Sequence, residues 1–170
     1  MTSSVEYTIN LKSFDVAAVH TTWTGISGLI YTNASISSVF NTIAALGTGY
    51  GAKIEVVDYI QDGENGVALT TDIEYIDLWM SINGVYSTFS SSANSNDLLL
   101  CSLSLDYGQR GANYRNFTLI GSNPIYIYSV SSVAGITLTF KNAISKAAIN
   151  GVQTTKDYSI TLKVTPFKFS

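Results

Sequence analysis

The chain has one histidine, one cysteine, two arginines and two prolines in 170 residues. Each scarcity excludes a class of chemistry. A Ser-His-Asp or Cys-His nucleophile system has only His20 to draw on, in Val19-His20-Thr21-Thr22-Trp23. A strand or surface histidine bonded to a backbone carbonyl is the reading that context supports. A zinc site needs several His or Cys ligands, and the chain holds two such residues in total. A single cysteine removes any disulfide framework. Cys101 lies in Leu98-Leu99-Leu100-Cys101-Ser102-Leu103, where a small buried hydrophobe is expected rather than a reactive thiol. Neither an enzyme, a metal nor a cofactor is expected of this inventory.

Charge is also scarce. Charged residues make up 12% of the chain, about half the usual ~25%, and the net charge is −3. Lysines and arginines are scattered, with no basic arm before the first strand, so the cation cluster that tight nucleic-acid binding needs is missing. No apolar run approaches the ~18 residues of a membrane helix, and no membrane span is expected. Met1-Thr2-Ser3-Ser4 leads straight into a strand pattern, so no signal peptide is read and a cytoplasmic location is the default. The sequons Asn33-Ala34-Ser35 and Asn116-Phe117-Thr118 are expected to be chance matches in a chain this rich in Asn, Ser and Thr.

What the chain does have is apolar and hydroxyl side chains. Hydrophobic residues are 46% of it, enough for a packed core in a single domain of this length, residues 1–170. Its polar surface must be built from Ser, Thr, Asn and Tyr. Such a surface suits broad contacts, because interface cores are poor in Lys and Glu and rich in Tyr.

The apolar residues recur mostly with period two. Val5, Tyr7, Ile9 and Leu11 alternate with polar residues in a half-buried strand. Trp23–Tyr31, Lys53–Ile60, Ile73–Ile82, Leu98–Leu105, Phe117–Ile120, Ile125–Val133, Ile136–Phe140 and Ser159–Val164 read as further strands. Asn83-Gly84 predicts a hairpin returning through Val85–Phe89, since a type I′ turn needs positive φ at both central residues. Ile36, Val39, Phe40, Ile43 and Leu46 carry helical spacing instead, with Asn33 or Ser35 as cap and Gly47 as stop. Ala143–Ile149 predicts one or two helical turns, Gly121-Ser122-Asn123-Pro124 a turn, and Thr48-Gly49-Tyr50-Gly51 a loop. Pro166 falls where an edge or strand end tolerates it. Eight to ten short strands with one helix near residues 35–46 predict an all-β antiparallel sandwich, jelly-roll-like.

Four clusters are candidates for function. Asp58, Asp62, Glu64, Asp72, Glu74 and Asp77 crowd acids into one stretch, but no calcium-loop pattern is present, and Glu74 and Asp77 fall on opposite strand faces. A solvated edge is expected. Gly47-Thr48-Gly49-Tyr50-Gly51 precedes a strand rather than a helix and lacks the Lys-Ser/Thr of a phosphate loop. Tyr126, Tyr128 and Ser131 alternate imperfectly with Ile125, Ile127 and Val130; core packing is expected of them, with a tyrosine-lined surface as the alternative. The loop Tyr107–Arg115 holds both arginines beside two tyrosines, the residue types that dominate binding hot spots. Tyr107, Arg110, Tyr114 and Arg115 are therefore the candidate subunit or ligand contacts, against a plain solvated loop whose arginines pair with carboxylates.

Over Val5–Leu11, Ile36–Leu46, Ile73–Phe89 and Ile125–Phe140 the chain resembles, as a class, the single jelly-roll capsid subunits of icosahedral viruses, notably small pentamer-forming vertex proteins. The resemblance implies shell building without catalysis, a place at the virion surface, and contacts with copies of itself and with other shell subunits. The acidic balance departs from capsid proteins that package a genome directly, so contact with nucleic acid is not implied. A lectin-like carbohydrate-binding module is the alternative, using Trp23, Trp79 or Tyr114 as sugar platforms. A fimbrial subunit that donates Val5–Leu11 to a neighbour is the other.

Overall fold

The computed structural model describes residues 5–12, 29–31, 34–61, 75–83, 98–105, 117–131, 133, 135–146 and 158–170. Along the chain these form β1 (Tyr7–Lys12), β2 (Leu29–Tyr31), α1 (Ala34–Ala44), β3 (Tyr50–Gln61), β4 (Tyr75–Asn83), β5 (Leu98–Leu105), β6 (Phe117–Ser122), β7 (Ile125–Ile127), β8 (Gly135–Asn142) and β9 (Tyr158–Lys168). One sheet runs β1-β9-β3-β7 and the other β2-β8-β4-β5-β6. Every ladder is antiparallel. The all-β sandwich with one helix, expected from the sequence, is the observed architecture.

The period-two pattern explains the layering. In β9, Tyr158, Ile160, Leu162 and Val164 are buried while Ser159, Thr161, Lys163 and Thr165 are half-buried on the other face. The inward residues of both sheets join one apolar core, in which Phe140 of β8 meets Tyr158 of β9 edge to face, ring centroids 5.5 Å apart. The strand pairs nest. β1 pairs with β9, β2 with β8, β3 with β7 and β4 with β5, each pair lying inside the previous one along the sequence. The pairs β3–β9 and β4–β8 then unite the outer and inner members into two sheets.

Helix α1 packs against β3, β1 and β8. Ile36, Phe40 and Ile43 are fully buried along one stripe, and Ser38, Asn41 and Thr42 face solvent. Full burial of one such apolar side chain contributes about 1.5–3 kcal/mol, so the stripe anchors the helix. Its end tightens as Leu46 N–H donates to Ile43 O at 3.0 Å and Gly47 N–H to Ala44 O at 3.2 Å. Gly47 then turns the chain at φ 128°. The helix therefore stops two residues before the predicted Leu46, which is exposed.

Several predicted boundaries need correction. Tyr50 and Gly51 belong to β3 rather than to a loop, and Gly121 and Ser122 to β6 rather than to a turn. Strand β7 ends at Ile127, short of the predicted Val133. Residues 143–145 form a turn, and the rest of the predicted helical segment lies outside the described residues. So do Trp23–Gly28 and the proposed return strand Val85–Phe89.

Two local devices let these strands run where they do. Phe169 N–H donates to Gly49 O at 2.9 Å. Alternation along the antiparallel ladder makes Lys53–Thr165 a hydrogen-bonded pair and Ala52–Pro166 a non-bonded one. The proline nitrogen thus faces the β1 side, and the β1 ladder begins only at Tyr7–Val164. The second device is at the corner where the chain passes from β6 in one sheet to β7 in the other. Ser122 Oγ accepts from Val56 N–H at 3.0 Å, and Asn123 N–H donates to Leu100 O at 2.9 Å. Register shifts between Val56 and Asp58 and between Ser102 and Leu103 leave Val57 and Ile120 as extra residues of bulges. Both are exposed for that reason.

Candidate functional site

Tyr107, Arg110, Tyr114 and Arg115 lie outside the described residues, as do His20 and Trp23. The described residues present a different surface: the outward face of the sheet β1-β9-β3-β7.

The registers arrange that face in rows. Lys163 on β9 sits beside Glu55 on β3 and Thr8 on β1. In the next row, Lys53 on β3 stands between Thr165 on β9 and Tyr126 on β7. Continuing the same registers brings Phe167, Gly51 and Tyr128 together, and then Phe169 and Gly49. Charge gives way to aromatic rings within two rows.

The rings form one cluster. Phe167 meets Tyr126 and Tyr128 edge to face, each with centroids 5.5 Å apart and interplanar angles of 82° and 87°. Phe169 meets Tyr128 at 5.3 Å and 77°, and Phe167 at 5.9 Å and 52°. Tyr126 is 49% exposed, Tyr128 56% and Phe169 42%. Ile125 and Ile127 take the inward face of β7 because they pair with the buried Ile54 and Ala52. The expectation that the tyrosines pack in the core is therefore corrected: they are surface.

Glycine makes the cluster possible. A Cβ on Gly51 would lie 2.4 Å from Ile127 O and 2.9 Å from the Phe167 ring. A Cβ on Gly49 would lie 2.5 Å from Ser170 O. The Gly-Tyr-Gly run, read as an irrelevant loop, is the floor on which Phe167 rests. Phe167 and Phe169 themselves were missed. Their signal was present: they continue the polar series Thr161, Lys163, Thr165 at period two, and so are aromatic residues on the outward face.

The charged rows are internally balanced. Lys53 Nζ lies 2.8 Å from Glu55 Oε1, and Lys163 Nζ lies 3.6 Å from both Glu55 Oε2 and Glu6 Oε1. The hydrogen bond to Glu55 is the chief force holding the Lys53 ammonium above its ordinary pKa, burial opposing it. The same bond is the chief force holding the Glu55 carboxyl below its ordinary value, against burial and with help from Lys163. These groups are partly solvated, so water screens each pair and its net contribution to stability is small.

The other sheet's outward face is tied up differently. Asp77 is 5% exposed, not solvated as expected; Ser102 Oγ donates to it at 2.9 Å and Lys146 Nζ at 2.7 Å. Asp58 is exposed, and Asp62, Glu64, Asp72 and Glu74 lie outside the described residues. Lys141 Nζ sits 4.7 Å from the Trp79 ring centroid. Trp79 Nε1 is buried with no hydrogen-bond partner among the described residues. A ring capped by an ammonium is not an open sugar platform. Cys101 is buried, and burial pushes its thiol up to about 12, with Asp77 adding to the shift. Among the described residues no three His, Cys, Asp or Glu gather to hold a metal, and no helix is long and apolar enough to cross a membrane.

No family model matches the chain, and no curated protein matches it.

Proposed function

We propose that this chain is a non-enzymatic jelly-roll subunit that assembles with copies of itself into a shell, of the capsid or vertex type, at a virion surface. The nested strand pairing carries the reading. Pairs β1–β9, β2–β8, β3–β7 and β4–β5 are those of one long antiparallel hairpin, and rolling that hairpin produces the β3–β9 and β4–β8 contacts. In this reading β6 is an addition to the outer side of β5. The low charge and the aromatic outward face support contacts with copies of itself and other shell subunits rather than with nucleic acid. The same exposed rings favour a lectin-like module as the second reading.

The solution mass of the purified full chain tests the proposal. A defined closed oligomer is expected. A strict monomer at high concentration refutes it, and a monomer that also binds a glycan array favours the lectin. Replacing Arg110 and Arg115 together with Ala is expected to weaken the oligomer while leaving the melting temperature nearly unchanged. Unaltered assembly removes that loop from the contact.

A further inference from the structure

The geometry points to the ring cluster Tyr126, Tyr128, Phe167 and Phe169 as the place where one copy of this chain docks on another. This rests on the self-assembly reading and specifies which surface serves it. Of the other large apolar residues exposed within the strands, Val57 and Ile120 are turned out by bulges, and Ile60 and Tyr75 lie near the ends of β3 and β4. No bulge turns out the ring cluster. Tyr126 lies on β7 and Phe167 on β9, Tyr128 and Phe169 directly follow the ends of those two strands, and Gly51 of β3 lies beneath Phe167.

Size and position suit a docking core. Half-exposed Tyr126, Tyr128 and Phe169 present on the order of 300 Å² of surface, given the ~150–250 Å² an aromatic side chain can bury. A patch of that size on a monomer is commonly functional. Aromatic centres with polar rims are the usual anatomy of protein contacts. The rim here is the row of Lys53, Glu55, Lys163 and Glu6. Strand β7 is outermost in its sheet among the described residues, so a neighbour can approach over that side.

Charge selects the occupant. The rim holds two lysines and two glutamates, and its net charge is zero. It offers nothing to a polyanion such as nucleic acid or an acidic membrane, and nothing to a polycation. Two copies that meet over this rim bring together equal numbers of lysines and glutamates, so the contact gathers no net charge. Net charge of −3 over 170 residues adds little repulsion between copies. A neutral glycan is the competing occupant. It needs an open ring face and polar side chains free to bond hydroxyls. Here the rings stand edge to face without a common plane, and the adjacent polar groups are already paired with one another.

The test uses the full chain and leaves Phe167 in place, because it covers Gly51. Tyr128→Ser with Phe169→Ser changes two exposed rings. Ile144→Ser changes a residue that is 87% exposed and lies in the turn after β8. Sedimentation should show self-association weakened about 100-fold in the double variant, about tenfold for each contact ring lost, and unchanged for Ile144→Ser. Hydroxyl-radical footprinting of the unaltered chain supplies a readout independent of any variant. Oxidation of Tyr126, Tyr128, Phe167 and Phe169 should fall as the protein is concentrated into its oligomer. An oligomer whose rings stay as reactive as in the monomer, or that survives intact in a folded double variant, overturns this contact and leaves self-assembly standing. A chain that never associates overturns both. Protection of the rings by cellohexaose or maltohexaose, but not by concentration, overturns the self-contact and assigns the face to a glycan.

Discussion

Replacing Gly51 with alanine should destabilise the fold more than the same change at Gly121 or Gly47. The added Cβ would sit 2.4 Å from Ile127 O and 2.9 Å from Phe167 Cε1 and Cζ. A flexible ring tip can swing away, but a strand carbonyl cannot. Relief to ordinary contact requires β7 to recede by about 1 Å, and overpacking of this kind costs about 1–3 kcal/mol. Among the described residues the ladder between β7 and β3 is short, with the pairs Ala52–Ile127, Lys53–Tyr126 and Ile54–Ile125. Weakening one hydrogen-bonded pair removes about 1 kcal/mol per bond. The expected loss is about 2–4 kcal/mol by urea denaturation. Two other glycines separate the causes. Gly121→Ala meets open space at an ordinary φ, and should be neutral or slightly stabilising. Gly47→Ala also meets open space, but at φ 128°, and should cost about 1–2 kcal/mol through backbone strain alone. Adding Phe167→Ala to Gly51→Ala should recover little, because the carbonyl is the harder wall. If Gly51→Ala melts with Gly121→Ala, or the ring truncation rescues it fully, the close approach of β7 to β3 described above is wrong.

Ser122→Ala should cost about 1 kcal/mol by urea melt, since it removes the acceptor of Val56 N–H at the corner between the sheets. Cys101 should resist thiol reagents in the native protein and react fully once denatured. Its folded pKa lies above the ordinary 9.0, near 12, so stability from the neutral thiol is intact below 9.0 and declines as pH rises toward 12; Cys101→Ala should flatten that part of the alkaline slope in urea melts on either side of 9.0. Glu55 behaves oppositely. Its folded pKa lies below the ordinary 4.5, so its contribution is present above 4.5 and lost as pH falls through the folded value. Glu55→Gln should therefore cost up to about 1 kcal/mol at neutral pH, and the difference from the unaltered chain should shrink in acid.

Where residues sit in one continuous alternating run, the sequence was enough. β1 carries Ile9 and Leu11 inward as read, and β5, whose first half is a continuous apolar run rather than an alternating one, spans Leu98–Leu105 as read. The helix was read from its buried stripe, and only its end moved. What the alternation cannot tell is which face turns inward when both are apolar or aromatic. Ile125-Tyr126-Ile127-Tyr128 fits either answer, and β3 decides it by pairing. Nor does it reveal partners far along the chain. Asp77 looked solvated because Ser102 and Lys146, which hold it, lie 25 and 69 residues away. Gly51 looked like loop because the ring that needs its missing Cβ is Phe167, on another strand. The expected contact loop, Tyr107–Arg115, lies outside the described residues, and the aromatic face is built from residues far apart in the chain, Tyr126 and Tyr128 against Phe167 and Phe169.

Pro166 has a further consequence for handling the molecule. Because its ring nitrogen occupies the position where a backbone donor would serve a longer β1, nothing ahead of Tyr7 can zip onto β9 beyond Val164 in continuous register. Peptide added upstream is thereby decoupled from the sheet, and an affinity tag or fluorescent fusion at that end should leave the melting behaviour as it was.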